Sequence, residues 1–201
     1  MSTIKVTFDN KIYTSPNNIT VLKAASLNNI FIPSWCAIKH QAGSQVCRLC
    51  IVEIDGFKGA VNSCGITVKD GMKITVNSLA LNKTRKTLLK LLLKSHKNCK
   101  DLNCELENLA IKLDIKPQVI QSKASPLKEL SSYLLYNKDL CVHCERCVNS
   151  CTQQKSLEVV HKTRDISLKN DSIKTSCIQC GDCIFMCKAG ALTENSIVKG
   201  L

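Results

Sequence analysis

The sequence predicts an α+β chain of two small metal-binding domains joined by a helical connector. Three observations predict it. The chain carries 14 cysteines in 201 residues, and twelve of them fall into three spaced sets, one near the amino terminus and two near the carboxyl terminus. Short stretches of alternating hydrophobicity and turn residues surround the first set. A leucine-rich stretch with helical periodicity separates it from the other two. The cysteine map divides the chain into residues 1–78, a connector over 79–129, and residues 130–201. Neither end requires a large apolar core, because metal binding itself contributes folding free energy in small metal-binding domains.

The two carboxyl-terminal sets are Cys141, Cys144, Cys147, Cys151 and Cys177, Cys180, Cys183, Cys187. Each reads C-x2-C-x2-C-x3-C, the ligand run of a ferredoxin that carries two 4Fe-4S clusters. Two intervening residues let the chain curl so that consecutive thiolates reach adjacent corners of one cubane. The fourth cysteine of each run points to the neighbouring cluster. The spacing therefore assigns Cys141, Cys144, Cys147 and Cys187 to one cluster, and Cys177, Cys180, Cys183 and Cys151 to the other. The proline that usually follows the fourth cysteine is replaced by Thr152 and Lys188. A structural zinc protein is the alternative, since C-x2-C is also zinc spacing. Tetrahedral zinc does not require the third cysteine at the same interval, still less twice.

The amino-terminal set, Cys36, Cys47, Cys50 and Cys64, is spaced C-x10-C-x2-C-x13-C. A 2Fe-2S cluster needs two thiolates per iron, and a central C-x2-C flanked by one distant cysteine on each side supplies them. Around this set Ile4, Val6 and Phe8 alternate as a half-buried strand, and Val21 to Asn28 reads as a short helix. Ile51 to Ile54 runs as a strand into the Asp55-Gly56 turn, and Gly71 opens a last strand through Ile74 and Val76. Strand, hairpin, helix, cluster loop and closing strands make a ferredoxin-like β-grasp domain. Gly43 and Ser44, before Cys47, offer backbone amides to the sulfurs of such a cluster.

In the connector, Leu81, Leu88, Leu89 and Leu92 mark an amphipathic helix, with Leu91 and Leu93 widening its apolar face. Lys90 interrupts the apolar run, so the segment is not a membrane span. Pro117, Ser122, Ser125 and Pro126 mark a looser linker. Between Cys151 and Cys177, the residues Lys162, Arg164, Asp165, Lys169, Asn170 and Asp171 predict an exposed loop.

The formal charge of +12 raises the question of nucleic acid binding. Lysines outnumber arginines by 24 to 4, the aromatic fraction is 4%, and the charges are scattered. Neither an arginine-rich patch nor a stacking platform is present, so nucleic acid is not the expected partner. A basic surface instead steers an acidic redox partner, such as a small ferredoxin, into contact. Met1-Ser2-Thr3 leads directly into the first predicted strand without a signal-like apolar segment, which predicts a cytoplasmic protein with reduced thiolates. No dinucleotide fingerprint, flavin motif or phosphate loop is found, and no catalytic residues are assigned.

These residues resemble a known family. Pro33-Ser34-Trp35-Cys36, Cys47-Arg48-Leu49-Cys50-Ile51-Val52-Glu53 and Asp70-Gly71-Met72 resemble the 2Fe-2S domain of three related proteins. They are the large iron-sulfur subunit of complex I, the amino-terminal region of iron-only hydrogenases, and the small diaphorase subunit of NAD-reducing hydrogenases. Thr84-Arg85-Lys86, Cys104-Glu105-Leu106, Tyr136-Asn137-Lys138 and Gly190-Ala191-Leu192-Thr193-Glu194 extend the resemblance over nearly the whole chain. Two complete ferredoxin runs favour the hydrogenase and diaphorase branches.

The resemblance implies an electron-transfer subunit that relays single electrons between a flavin-containing NADH-oxidising subunit and a catalytic subunit of hydrogenase or formate dehydrogenase type. The alternative is a free-standing polyferredoxin carrier. The family also holds a further 4Fe-4S cluster between its domains on one His and three Cys, spaced H-x3-C-x2-C-x5-C. Here the matching stretch offers only His96, Cys99 and Cys104, spaced H-x2-C-x4-C. One thiolate is missing, and the plainer reading is a helical bridge whose cluster has been lost, with His96 as an exposed histidine at a helix end.

Overall fold

A computed structural model describes residues 2–38, 44–97, 99, 104–117, 122–152, 155–160, 162–169 and 177–195. The chain divides into two compact units, Met1–Lys90 and Leu91–Leu201.

The first unit opens with a hairpin of β1 (Thr3–Phe8) and β2 (Lys11–Pro16). Asp9 and Asn10 close it, both at positive φ (45° and 69°), the left-handed pair that a two-residue hairpin turn requires. Helix α1 (Val21–Leu27) follows, and the Thr20 hydroxyl caps it by accepting from the Lys23 amide at 3.2 Å. Its Val21, Ala24 and Ala25 are buried, which is the i, i+3, i+4 stripe of a helix packed on a sheet. Strands β3 (Ile51–Ile54), β4 (Val61–Asn62) and β5 (Lys73–Thr75) complete a five-stranded sheet of order β2-β1-β5-β3-β4. β1 and β5 run parallel and the other neighbours antiparallel.

Val6, Phe8, Val52, Ile54, Ile74 and Val76 form the core with the buried face of α1. Each such side chain contributes about 1.5–3 kcal/mol when fully buried. Two carboxylates tie the first strand to the last: Asp70 accepts from the Lys5 amide at 2.8 Å, and Asp9 from the Val76 amide at 2.7 Å.

Helix α2 (Leu79–Ser95) begins in this unit, and the Ser78 hydroxyl accepts from the Leu81 amide at 3.1 Å. Its buried positions include Leu81, Arg85, Leu89 and Leu93. They recur every four residues, so they share one face. Leu91 lies off this face and is 54% exposed. The apolar face is therefore narrower than expected, because position 91 falls between buried 89 and 93. Arg85 donates to the carbonyls of Ile51 at 2.6 Å and Val76 at 2.9 Å. These bonds hold a buried guanidinium in a stripe of leucines.

The second unit contains α3 (Glu105–Lys112), β6 (Lys128–Glu129), β7 (Leu134–Tyr136), a 3-10 turn at Lys138–Leu140 and α4 (Arg146–Ser150). It ends with β8 (Leu157–Val159), β9 (Ile166–Leu168), α5 (Asp182–Phe185) and β10 (Leu192–Glu194). β10, β7 and β6 form an antiparallel sheet in that order, and β8 pairs antiparallel with β9. The β8–β9 hairpin corrects the loop expected between Cys151 and Cys177. Its Leu157, Ile166 and Leu168 are buried in the core of this unit, while Lys162, Arg164 and Lys169 are exposed. Asn170 and Asp171, assigned to the same loop, lie outside the described residues. Among the described residues no helix is long and apolar enough to cross a membrane.

Candidate metal centres

Cys36, Cys47, Cys50 and Cys64 are each 5% exposed or less. Their sulfurs form a hydrogen-bonded chain in which Cys36 contacts Cys47 and Cys64, and Cys64 also contacts Cys50. The bonds from Cys47 and then Cys64 hold the Cys36 thiol far below its ordinary range, and the bond from Cys64 brings Cys50 down to about 6. Cys47 and Cys64 move the other way, because each keeps its proton to donate to Cys36, and Cys64 to Cys50 as well. Two sulfurs thus act as acceptors stabilised by two that remain protonated, an arrangement a metal would replace with release of protons.

The loop geometry explains how these residues meet. Gln45 and Arg48 have positive φ, 58° and 54°, and turn the chain on both sides of Cys47. The Cys36 amide donates to the Cys47 sulfur at 3.4 Å. Beyond Cys50, the hydroxyl and amide of Ser63 donate to the Cys50 carbonyl at 2.6 and 3.0 Å, which sets Cys64 beside Cys50. The donor set falls into two linked pairs, Cys36 with Cys47 and Cys50 with Cys64, and so fits two irons with two thiolates each. Ser44 reaches Cys36 through its hydroxyl, whereas Gly43 lies outside the described residues.

In the second unit the eight cysteines sort crosswise. Burial pushes the Cys144 thiol up to about 12, and the nearby Cys187 and Cys141 sulfurs add to the effect. Burial also raises Cys147, followed by Cys187, Cys144 and Cys141. Cys183 is pushed up to about 11, by burial first and then by Cys177, Cys151 and Cys180. The fourth cysteine of each run is therefore the electrostatic neighbour of the other run. A cavity lined by Cys151, Cys177, Cys180 and Cys183 accompanies the second group.

Both runs share a backbone device. His143 and Glu145 flank Cys144 with φ of 53° and 63°, and Gln179 and Gly181 flank Cys180 with φ of 58° and 80°. Left-handed residues at equivalent places curl both loops alike and start the short helices α4 and α5. Alternation of this kind turns backbone amides towards a shared concavity suited to anions.

His96, Cys99 and Cys104 also come together, with their ligating atoms all within 4.8 Å of one another. His96 is 4% exposed, which corrects the expectation of an exposed histidine. Leu140 explains the burial, because its carbonyl lies 2.9 Å from His96 Nδ1.

Of two neighbours of Cys141, the sequence reading passed over His143 and named Tyr136 only within the family resemblance. Burial pushes its thiol up, but hydrogen bonds with His143 and Tyr136 outweigh it and hold the thiol below its ordinary value. The position of His143 inside the ligand run, between Val142 and Cys144, was the available signal. Arg85 was legible only as part of the family resemblance, not as a buried cation.

Residues 1–78 match the sequence profile of a family described as a 2Fe-2S iron-sulfur cluster binding domain. Nearly the whole chain has relatives as well. The NADP-reducing hydrogenase subunit HndD of Solidesulfovibrio fructosivorans is 31% identical over 98% of this chain and 37% of its own length. Iron hydrogenase 1 of Clostridium pasteurianum is 33% identical over 69% of this chain and 26% of its own length. The chain thus spans between a quarter and two fifths of these relatives. A chain of a crystal structure of NAD+-reducing [NiFe]-hydrogenase in the H2-reduced state shares the fold, with a TM-score of 0.79 at 22% identity, covering 96% of this chain and 88% of that one. The resemblance read from the cysteine-bearing segments therefore extends along nearly the full chain.

Proposed function

We propose that the chain is an iron-sulfur electron-transfer subunit of an oxidoreductase complex. Cys36, Cys47, Cys50 and Cys64 would hold a 2Fe-2S cluster. Cys141, Cys144, Cys147 and Cys187 would hold one 4Fe-4S cluster, and Cys177, Cys180, Cys183 and Cys151 a second. The observation that carries this reading is the sorting of twelve cysteines into three neighbourhoods, including the crosswise exchange of Cys151 and Cys187. The clusters supply one-electron redox chemistry at potentials set by charge, hydrogen bonds and exposure. The residues of the chain hold them, keep water from the buried sulfurs, and orient donors such as Ser44 towards Cys36.

The functional units are residues 1–78 and 130–201, with 79–129 as the connector. The partners on this reading are a flavin-containing NADH-oxidising subunit and a catalytic subunit of hydrogenase or formate dehydrogenase type. The relatives named above favour a hydrogenase setting by their own descriptions. A small ferredoxin is a third partner, steered by the charge of +12 and weakened by salt. The expected compartment is the reducing cytoplasm.

Anaerobic isolation of the tagged chain from its host tests the proposal in two steps. About ten irons and ten labile sulfides per chain are expected, from one 2Fe-2S and two 4Fe-4S clusters. Zinc without sulfide would overturn the cluster reading. Co-isolation of a flavoprotein and a metal-dependent catalytic subunit through a moderate-salt wash is the expected partner result, and recovery of the chain alone would favour a free-standing carrier.

A further inference from the structure

His96, Cys99 and Cys104 present a donor set unlike the other cysteine groups. Among the described residues it is the one group of three whose ligating atoms all lie within 4.8 Å of one another. His96 Nε2 stands 3.2 Å from Cys104 Sγ. The twelve cysteines of the other sets all lie among the described residues and form no such group. This spacing discriminates between kinds of metal centre. Around one tetrahedral zinc, with Zn–S of about 2.3 Å and Zn–N of about 2.0–2.1 Å, ligand atoms lie about 3.5–3.8 Å apart. In a cubane each thiolate binds a different iron, which sets the sulfurs further from one another.

The surroundings are prepared for a metal ion. His96 and Cys104 are 4% and 5% exposed. His96 Nδ1 lies 2.9 Å from the Leu140 carbonyl, and a carbonyl can only accept. Nδ1 therefore carries the proton and Nε2 turns its lone pair towards Cys104, the tautomer that a carbonyl partner fixes in metal-binding histidines. His96 follows the end of α2, where its amide reaches the carbonyls of Leu92 and Leu93, and Cys104 is the residue on which α3 starts. Cys99 lines a cavity with Cys104, Asn137, Asp139 and Lys188, which leaves room for water in a fourth position.

We propose that His96, Cys99 and Cys104 bind a single zinc ion through one imidazole and two thiolates, with water as the fourth ligand, instead of an additional iron-sulfur cluster. The ion pins the end of α2 to the start of α3. Through His96 it also pins both to the carbonyl that immediately precedes Cys141.

Metal analysis of the full chain, produced anaerobically with iron and zinc in the medium, tests this directly. The expected result is about one zinc beside about ten irons. His96→Ala and Cys99→Ala should each lower the zinc content at least tenfold and leave iron unchanged. About fourteen irons, or no zinc after dialysis against zinc, would overturn the proposal. If a variant loses iron as well through misfolding, zinc-edge X-ray absorption of the unmodified holoprotein decides. Two sulfurs at about 2.3 Å and one nitrogen at about 2.0–2.1 Å support the site, whereas four sulfurs mean zinc in an unfilled cluster set and refute it. Because the iron count is read separately, failure of this site leaves the electron-transfer reading standing.

Discussion

The two C-x2-C-x2-C-x3-C runs have the same spacing and the same left-handed turns, yet they are buried to different degrees. Cys141 and Cys147 of the first run are buried, whereas Cys180 of the second is exposed and Cys177 and Cys183 are half-buried. Leu134, Tyr136, Leu157 and Ile166 pack in one cluster with Cys141 and Cys147. Helix α4 buries Arg146 and Cys147, whereas α5 buries no residue and leaves Phe185 86% exposed. The repeated pattern specifies the loop, and the residues outside it specify how much water reaches the sulfurs. Exposure and hydrogen bonding tune iron-sulfur potentials, so on the proposed reading two copies of one motif would give two different redox environments.

The largest expected effect separates the runs by stability. Cys147→Ser should remove about four irons and destabilise the second unit by about 3 kcal/mol or more, because it loses a metal-linked contribution inside a packed core. Cys180→Ser should also remove or weaken one cluster and forfeit its metal-linked contribution, but with little packing to lose it should cost less than Cys147→Ser by about 1 kcal/mol or more. Thermal unfolding of both variants with iron counts checks this, and equal destabilisation would erase the distinction.

A second pair of variants examines the crossover. Cys187→Ala should abolish the cluster signal of the buried run, and Cys151→Ala that of the exposed run, each with a loss of about four irons. Mössbauer and electron paramagnetic resonance spectra of the reduced proteins report which environment disappears. If each variant instead depletes the cluster of its own run, the crosswise grouping fails.

Part of this comparison was legible in the sequence. Spacing nominated all twelve cysteines of the three sets, alternation of Ile4, Val6 and Phe8 placed β1, the run into the Asp55-Gly56 turn placed β3 at Ile51–Ile54, and α1 was read from Val21. The β8–β9 hairpin escaped because its strands are three residues long and the charged residues between them dominate the composition. The two apolar pairs, Leu157 with Val159 and Ile166 with Leu168, do show the period of a strand. Arg85 and His96 escaped for another reason: a polar residue near a helix end or on a helix face reads as solvated unless its carbonyl partners are known. Those partners, Ile51, Val76 and Leu140, lie 34, 9 and 44 positions away. No local pattern encodes them.

A pH titration of the metal-free chain sharpens the contrast in burial. The folded-state values of Cys144 and Cys183, about 12 and about 11, lie above the ordinary thiol value of 9.0. The folded chain thus retains protons that the unfolded chain gives up, so this contribution to stability is complete below about pH 9 and declines as pH rises towards 11–12. Denaturant midpoints measured between pH 8 and 11 should fall for the metal-free chain. The metal-loaded chain, whose sulfurs are already deprotonated, should lack that decline. A flat profile in both forms would mean that the buried sulfurs are not desolvated as the comparison requires.

The smallest effect concerns the turns that the runs share. Gly181 and Glu145 hold equivalent left-handed positions, with φ of 80° and 63°, but only glycine occupies that region without steric cost. Gly181→Ala should therefore destabilise the fold by about 1 kcal/mol. A Cβ at that position would meet the Tyr133 hydroxyl at 3.4 Å, ordinary contact, so the cost is one of backbone conformation. Glu145→Gly should move the other way by about 0.5–1 kcal/mol. That gain is reduced slightly by loss of the half-exposed ion pair with Arg164, whose nitrogen lies 3.7 Å from the Glu145 carboxylate. Opposite signs in the two variants, measured by chemical denaturation, would establish that both runs use one backbone device. Equal signs would mean that the resemblance between the runs stops at the spacing of their cysteines.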